Sequence, residues 1–135
     1  MSNIDTIKSI YEAFGRGDVA AILERVSPEV EWDYAHAAGD VPWLSPRRGR
    51  DGVKAFFGAA AEGITFEKFA VKEVFASPDG KVVVALVDVE AVIKKTGRRL
   101  VEDDEIHLWR FDDVGRVARF RHGVDTAKHA AAFRG

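Results

Sequence analysis

Apolar residues recur at helical spacing near the start of the chain. Ile4, Ile7, Ile10, Tyr11 and Phe14 mark one face of a first helix. Asn3 or Asp5 can cap it, and Gly15 and Gly17 end it. Asp18 can cap a short second helix whose inner side is Val19, Ile22, Leu23 and Val26, with Ser27 and Pro28 as its stop. The period then changes to two. Val30, Trp32 and Tyr34 share one face of a strand, and Glu31 and Asp33 share the other. Residues 35–49 show no period; they hold Gly39, Pro42 and Pro46, with Trp43 and Leu44 between. This pattern predicts a loop that folds back over the body, and loops of this length often serve as lids or binding loops. Asp51 is placed to cap a third helix running to about Glu62, with Val53, Phe56, Phe57 and Ala60 inside.

The remainder reads as sheet. Long strands are predicted over 65–76, 81–94 and 98–111, and a shorter one closes the set after the Asp112–Gly115 turn. Ser77-Pro78-Asp79-Gly80 and Thr96-Gly97 supply the other turns. Asp125 can cap a last, alanine-rich helix over 126–133. Helices first and a meander afterwards give an α+β domain: a cone-shaped, curved antiparallel sheet, three helices from the N-terminal half packed on it, and a short C-terminal helix. The hollow of such a cone is a natural ligand site.

Candidate chemistry concentrates in the last hairpin. Alternation puts Glu105, His107, Trp109 and Phe111 on one face, and Phe120, His122 and Val124 on the matching face of the next strand. With Phe111 opposite Arg116, His107 falls opposite Phe120 and Glu105 opposite His122. Glu105 would then fix the tautomer of His122. A face that only closed a core would not need ionisable groups, and one that only met water would not need aromatics. His107 is thus a candidate acid or hydrogen-bond donor to a developing oxyanion. Asp33, beside Trp32 and Tyr34, is a candidate base, because desolvation raises a carboxyl pKa. His122, Glu105, Trp43, Trp109, Phe56 and Phe120 are expected to contact the ligand, the aromatics suiting a flat apolar one. Asp125 is a minor candidate whose simplest role is the cap. Arg98, Arg99, Arg110, Arg116, Arg119 and Arg121, with the acidic run 102–105 close by, read as a solvated or dimer-interface face.

Composition narrows the classes. A chain of 135 residues with 47% hydrophobic content suits one globular domain. Its formal net charge of −2 gives no bulk attraction to nucleic acid or an anionic membrane, so neither is expected as a partner. There is no cysteine, and no HxH or HExxH pattern, so no metal site is expected. No GxGxxG and no P-loop is present, so no organic cofactor is expected. No apolar run approaches the ~18 residues of a membrane span, and the N-terminal stretch does not read as a signal peptide. A soluble, cytoplasmic domain is the expectation.

Four stretches resemble the SnoaL-like branch of the nuclear transport factor 2-like superfamily, which also contains ketosteroid isomerases. They are YEAFGRGDVAAIL, VEWD, RGRDGVKAFF and IHLWRFDDVGRVARFRHGVDT, and they cover essentially the whole chain. The resemblance implies that Asp33 matches the general base of ketosteroid isomerases. It implies that His107 stands where those enzymes keep a protonated aspartate. Their oxyanion-hole tyrosine aligns with Ile10, and Tyr11, one residue on, is expected to turn elsewhere. A homodimer through the exposed sheet face is also implied. The function expected is acid–base chemistry on a mostly apolar, oxygen-bearing small molecule: isomerisation, cyclisation, hydration or dehydration. The alternatives are non-catalytic binding of a hydrophobic metabolite and a structural dimerisation domain.

Overall fold

The computed structural model describes residues 2–34 and 40–135. The first helix, α1 (Asn3–Gly15), is capped neither by Asn3 nor by Asp5, which both lie in its first turn. Ser2 is the cap, and its hydroxyl accepts from the Asp5 N–H while the Asp5 carboxylate accepts from the Ser2 N–H. The short α2 (Val19–Leu23) is capped by Asp18 as predicted. It ends before Val26, which is instead the first residue of β1 (Val26–Trp32).

At the end of β1 the expected alternation breaks. Asp33 adopts φ 52° and leaves the strand, so Trp32 and Asp33 are both buried in succession. The left-handed turn costs strain that a non-glycine residue tolerates only when its surroundings compensate. Here the Asp33 N–H donates to the Phe120 carbonyl at 2.7 Å. The expected solvent-side partner of Glu31 is thus an interior residue. Tyr34 is half-buried, with the Arg119 guanidinium 3.9 Å from its ring centroid.

The expected loop 35–49 lies partly outside the described residues. Its described part holds a 3₁₀ turn (Pro42–Leu44) that buries Trp43 and Leu44, and a two-residue strand, β2 (Arg47–Arg48). Helix α3 (Gly49–Gly63) follows. Asp51 does not cap it; Arg48 occupies that position without a side-chain bond, and Asp51 lies in the first turn.

The long strands are β3 (Ile64–Ala76), β4 (Val82–Ile93), β5 (Arg99–Phe111) and β6 (Val117–Gly123), and α4 (Thr126–Arg134) completes the chain. Among the described residues they form one sheet in the order β2-β1-β6-β5-β4-β3. The meander is antiparallel, but β1 joins β6 in parallel. The sheet is curved and unclosed, with the helices packed on it.

Two irregularities set the inner face. The first is a register shift between Val87 and Val89 of β4, opposite the 102–105 run, where Asp104 takes φ 56°. Above it Leu100 and Glu102 point inward; below it Glu105, His107, Trp109 and Phe111 do. The extra residue therefore turns two glutamates of the acidic run into the interior, leaving Asp103 and Asp104 outside. The second is a shift between Arg110 and Phe111 at the last hairpin, which pairs Phe111 with Val117 and His107 with His122. The expected pairing was two residues off, an even slip that leaves every side chain on its expected face.

Two hydrophobic clusters result. One joins Ile7 and Ile10 of α1 to Val30, Trp32, Val53, Trp109 and Phe120. The other joins Trp43, Leu44, Ala60, Ile64, Leu100 and Ala132 to the inner face of β4. Among the described residues, no helix is long and apolar enough to cross a membrane.

Candidate active site

A cavity of ≈ 90 Å³ lies where the two clusters meet, lined by members of both. Its walls are aromatic and aliphatic. Tyr11, Glu105, His107, His122 and His129 are among the residues that line it, but the wall they help to form is almost wholly apolar. All six expected ligand contacts, Trp43, Phe56, Glu105, Trp109, Phe120 and His122, line it, and so does His107.

The histidines pair with carboxylates, though not in the expected combination. Glu105 does not pair with His122. Its Oε2 accepts from His107 Nε2 at 2.6 Å. His122 instead donates from Nδ1 to Asp33 Oδ1 at 2.7 Å, and its backbone N–H donates to the same oxygen at 2.9 Å. The two-residue register difference moves His122 away from Glu105, and the left-handed turn at Asp33 delivers a different carboxylate. Asp33 itself is fully buried behind His122 and is not among the described residues lining the cavity.

Tyr11 corrects the expectation that it turns elsewhere. Its hydroxyl lies 2.6 Å from His107 Nδ1 and accepts from Trp109 Nε1 at 3.2 Å. The tautomer follows from the partners. A carboxylate can only accept, so Nε2 of His107 carries a proton; in the neutral ring Nδ1 accepts from the Tyr11 O–H. Trp109, Tyr11, His107 and Glu105 thus form one directed hydrogen-bond chain across the floor of the cavity.

A third pair closes the far end. Trp43 Nε1 donates to His129 Nδ1 at 3.0 Å, and His129 Nε2 stands 3.3 Å from Glu102 Oε1. The same glutamate oxygen accepts the Asp125 N–H at 3.1 Å, which anchors the start of α4 to β5. Asp125 caps that helix, accepting from the Lys128 N–H at 3.0 Å.

Tyr11, Glu102 and His129 were not singled out from the sequence. Tyr11 sits on the apolar stripe of α1 and reads as core. Glu102 is turned inward by the bulge. His129 shares the inner side of α4 with Ala132, and that helical spacing was the one signal available.

Burial and charge tune the site. Burial alone would depress His122, but the Asp33 hydrogen bond and charge, aided by Glu105 and Glu102, outweigh it and raise its pKa. Burial pushes Glu105 up, yet the His107 hydrogen bond and the surrounding histidines bring it below the ordinary value. Burial raises Glu102, partly offset by the Asp125 N–H. Burial also raises the Tyr11 phenol, which stays protonated. Among the described residues, no group of three or more acids or histidines is arranged to hold a metal ion; they pair off instead of converging.

The profile of the SnoaL-like domain matches residues 7–120. The chain belongs to the SnoaL-like family. Solved structures place it in the wider nuclear transport factor 2-like superfamily. It is similar to a nuclear transport factor 2-like protein of unknown function from Burkholderia pseudomallei, at 29% identity over 100% of both chains, with a TM-score of 0.82. It is similar to TerC, co-crystallised with polyporic acid, at 25% identity over 98% of each chain and a TM-score of 0.79. A candidate polyketide cyclase from Pseudomonas putida shares the fold at 18% identity, over 98% of each chain, with a TM-score of 0.78. No curated protein matches in sequence.

Proposed function

We propose that this SnoaL-like protein is a small-molecule enzyme performing acid–base chemistry on a mostly apolar ligand that bears a carbonyl, hydroxyl or epoxide oxygen. One observation carries the reading. His107 and His122 are Cα partners on neighbouring strands, their ring centroids 6.2 Å apart, and each is engaged by its own buried carboxylate at the edge of one apolar cavity. Separate partners let the two imidazoles hold different protonation states, which is what an acid and a base need. In this reading His122 moves the proton. Asp33 orients it and stabilises its charged form, so Asp33 is a positioning residue. His107, held by Glu105, orients the Tyr11 hydroxyl, whose O–H turns from His107 Nδ1 to the oxygen that gains charge. The family match and the solved relative holding polyporic acid support a small-molecule ligand. The exposed apolar residues Phe75 and Ile106, on the outer sheet face, support the homodimer proposed for that face.

The test is proton exchange in heavy water with a panel of cyclic ketones, hydroxyketones and epoxides, followed by NMR and mass spectrometry. The wild type should incorporate deuterium or turn over at least one member. His122→Gln and His107→Gln should each lose about 100-fold or more of that rate with the circular-dichroism spectrum intact. Full activity in both variants would sink the assignment. Binding without exchange or turnover would leave the hollow as a carrier site.

A further inference from the structure

One side of the cavity is a mouth built of phenylalanines. In a regular strand, residues three apart point to opposite faces. Phe66 and Phe69 of β3 do not. A register shift between Phe66 and Lys68 pairs Phe66 with Ala91 and Phe69 with Val89, both on the buried inner face of β4. Both phenylalanines therefore line the cavity. Phe14 of α1 stands against them, its ring centroid 4.9 Å from that of Phe69 and 5.7 Å from that of Phe66. Phe57 of α3 lies on its other side, at 5.9 Å. Phe66 is 37% exposed, the one exposed side chain among the described residues that line the cavity. The cavity thus comes nearest to solvent between α1, α3 and β3.

Phe69 separates this mouth from the reactive groups. Its ring centroid lies 6.1 Å from Tyr11 and 6.2 Å from His107 on one side, and 5.8 Å from Phe66 on the other. The space it bounds is small. An apolar cavity of about 150 Å³ holds one benzene ring, and this one measures ≈ 90 Å³. A ring can enter only where a wall residue gives way. Close-packed interior walls resist that, and Trp32, Trp109 and Phe120 are buried. Phe69 is half-buried and has the exposed Phe66 beside it, so it has room to yield. The wall itself is almost wholly apolar, because Tyr11, Glu105, His107 and Trp109 spend their hydrogen bonds on one another. A charged ligand would give up its hydration there without return.

We propose that Phe69 determines ligand size, and that the cavity takes an uncharged ligand with a single ring, admitted between Phe14, Phe57 and Phe66. This rests on the reading of the cavity as the ligand site, and it states which ligands fit.

Three probes test it. Acetophenone has one ring and no charge, 2-acetylnaphthalene carries the same carbonyl on two fused rings, and benzoate has one ring and a charge. Their dissociation constants are measured by calorimetry, with tryptophan fluorescence as a second readout. Apolar burial alone would favour the larger ketone. The wild type should instead bind acetophenone about tenfold or more tighter than either of the other two. In Phe69→Ala the order of the ketones should reverse, with 2-acetylnaphthalene gaining about tenfold or more as its second ring is buried. A wild type that binds the larger ketone as well as the smaller overturns the size limit. Benzoate binding as tightly as acetophenone overturns the choice of an uncharged ligand. In both cases the cavity remains a ligand site. A ketone preference unchanged in Phe69→Ala overturns the assignment to Phe69. Should that variant fail to fold, Phe69→Leu, which keeps an apolar side chain of shorter reach, should narrow the preference to about threefold or less, and an unchanged preference there overturns the assignment equally. If neither ketone binds the wild type, the ligand-site reading falls and the proposal with it.

Discussion

His107 and His122 face each other as Cα partners on β5 and β6, and each is held by a different carboxylate. Glu105, two residues from His107 on the same strand, serves one. Asp33, at the turned end of β1, serves the other. Neighbouring imidazoles thus draw their electrostatics from distant parts of the chain.

The Asp33–His122 pair gives a pH dependence with a definite sign. The folded-state pKa of His122 is raised above the ordinary histidine value of 6.5. Its contribution to stability is therefore fully present below that value and is lost as pH rises through the folded pKa. In Asp33→Asn the histidine should titrate lower than in the wild type, because the opposing charge is gone and burial remains. Imidazole NMR across a pH series measures this. A His122 resonance unchanged by Asp33→Asn would mean Asp33 does not set its charge. The variant should also lose about 1.5–3 kcal/mol in urea unfolding at pH 6, the scale of hydrogen bonds to a charged group.

Tyr11→Phe removes one oxygen and strands two partners, His107 Nδ1 and Trp109 Nε1. Each buried polar atom left unsatisfied costs about 1–3 kcal/mol. Denaturant unfolding should show a loss of about 2–6 kcal/mol for the two together. Tyr11→Phe combined with Trp109→Phe should cost less than the sum of the two single changes, because the second removes a stranded donor. Strict additivity would show that the two residues are not coupled.

Gly63 ends α3 directly under Trp43. A Cβ there would lie 2.7 Å from Trp43 Cζ3. The indole is also held by His129 and by the edge-on ring of Phe133, so it cannot swing away freely. Gly63→Ala should destabilise by about 1–3 kcal/mol through overpacking and shift the tryptophan emission. Unchanged stability and emission would show that Trp43 yields without cost.

Asp125→Ala should cost about 0.5–2 kcal/mol as a lost helix cap. Hydrogen exchange should rise through α4 first, at His129 and its neighbours, while the β4 amides stay protected. A variant whose exchange rises uniformly would refute a local capping role.

The local pattern of the chain determined most of the element list. Period 3.6 in Ile7, Ile10 and Phe14, period two in β4, and the turn residues at Ser77–Gly80, Thr96-Gly97 and Asp112–Gly115 are short-range properties, so they are readable without knowing what packs where. The same alternation placed Glu105, His107, Trp109, Phe120 and His122 on one inner face, and that held because the register error was even. The partners were decided only in three dimensions. Asp33 meets His122 through a left-handed turn and a parallel pairing of β1 with β6. Glu102 enters the interior through a bulge at Asp104, which one inserted residue creates and strict alternation cannot foresee. Tyr11 and His129 reach the cavity because α1 and α4 pack over opposite ends of it. Periodicity reports which side of an element is apolar; which polar group a buried histidine finds there depends on backbone irregularities and helix placement, and these come from packing across the whole sheet.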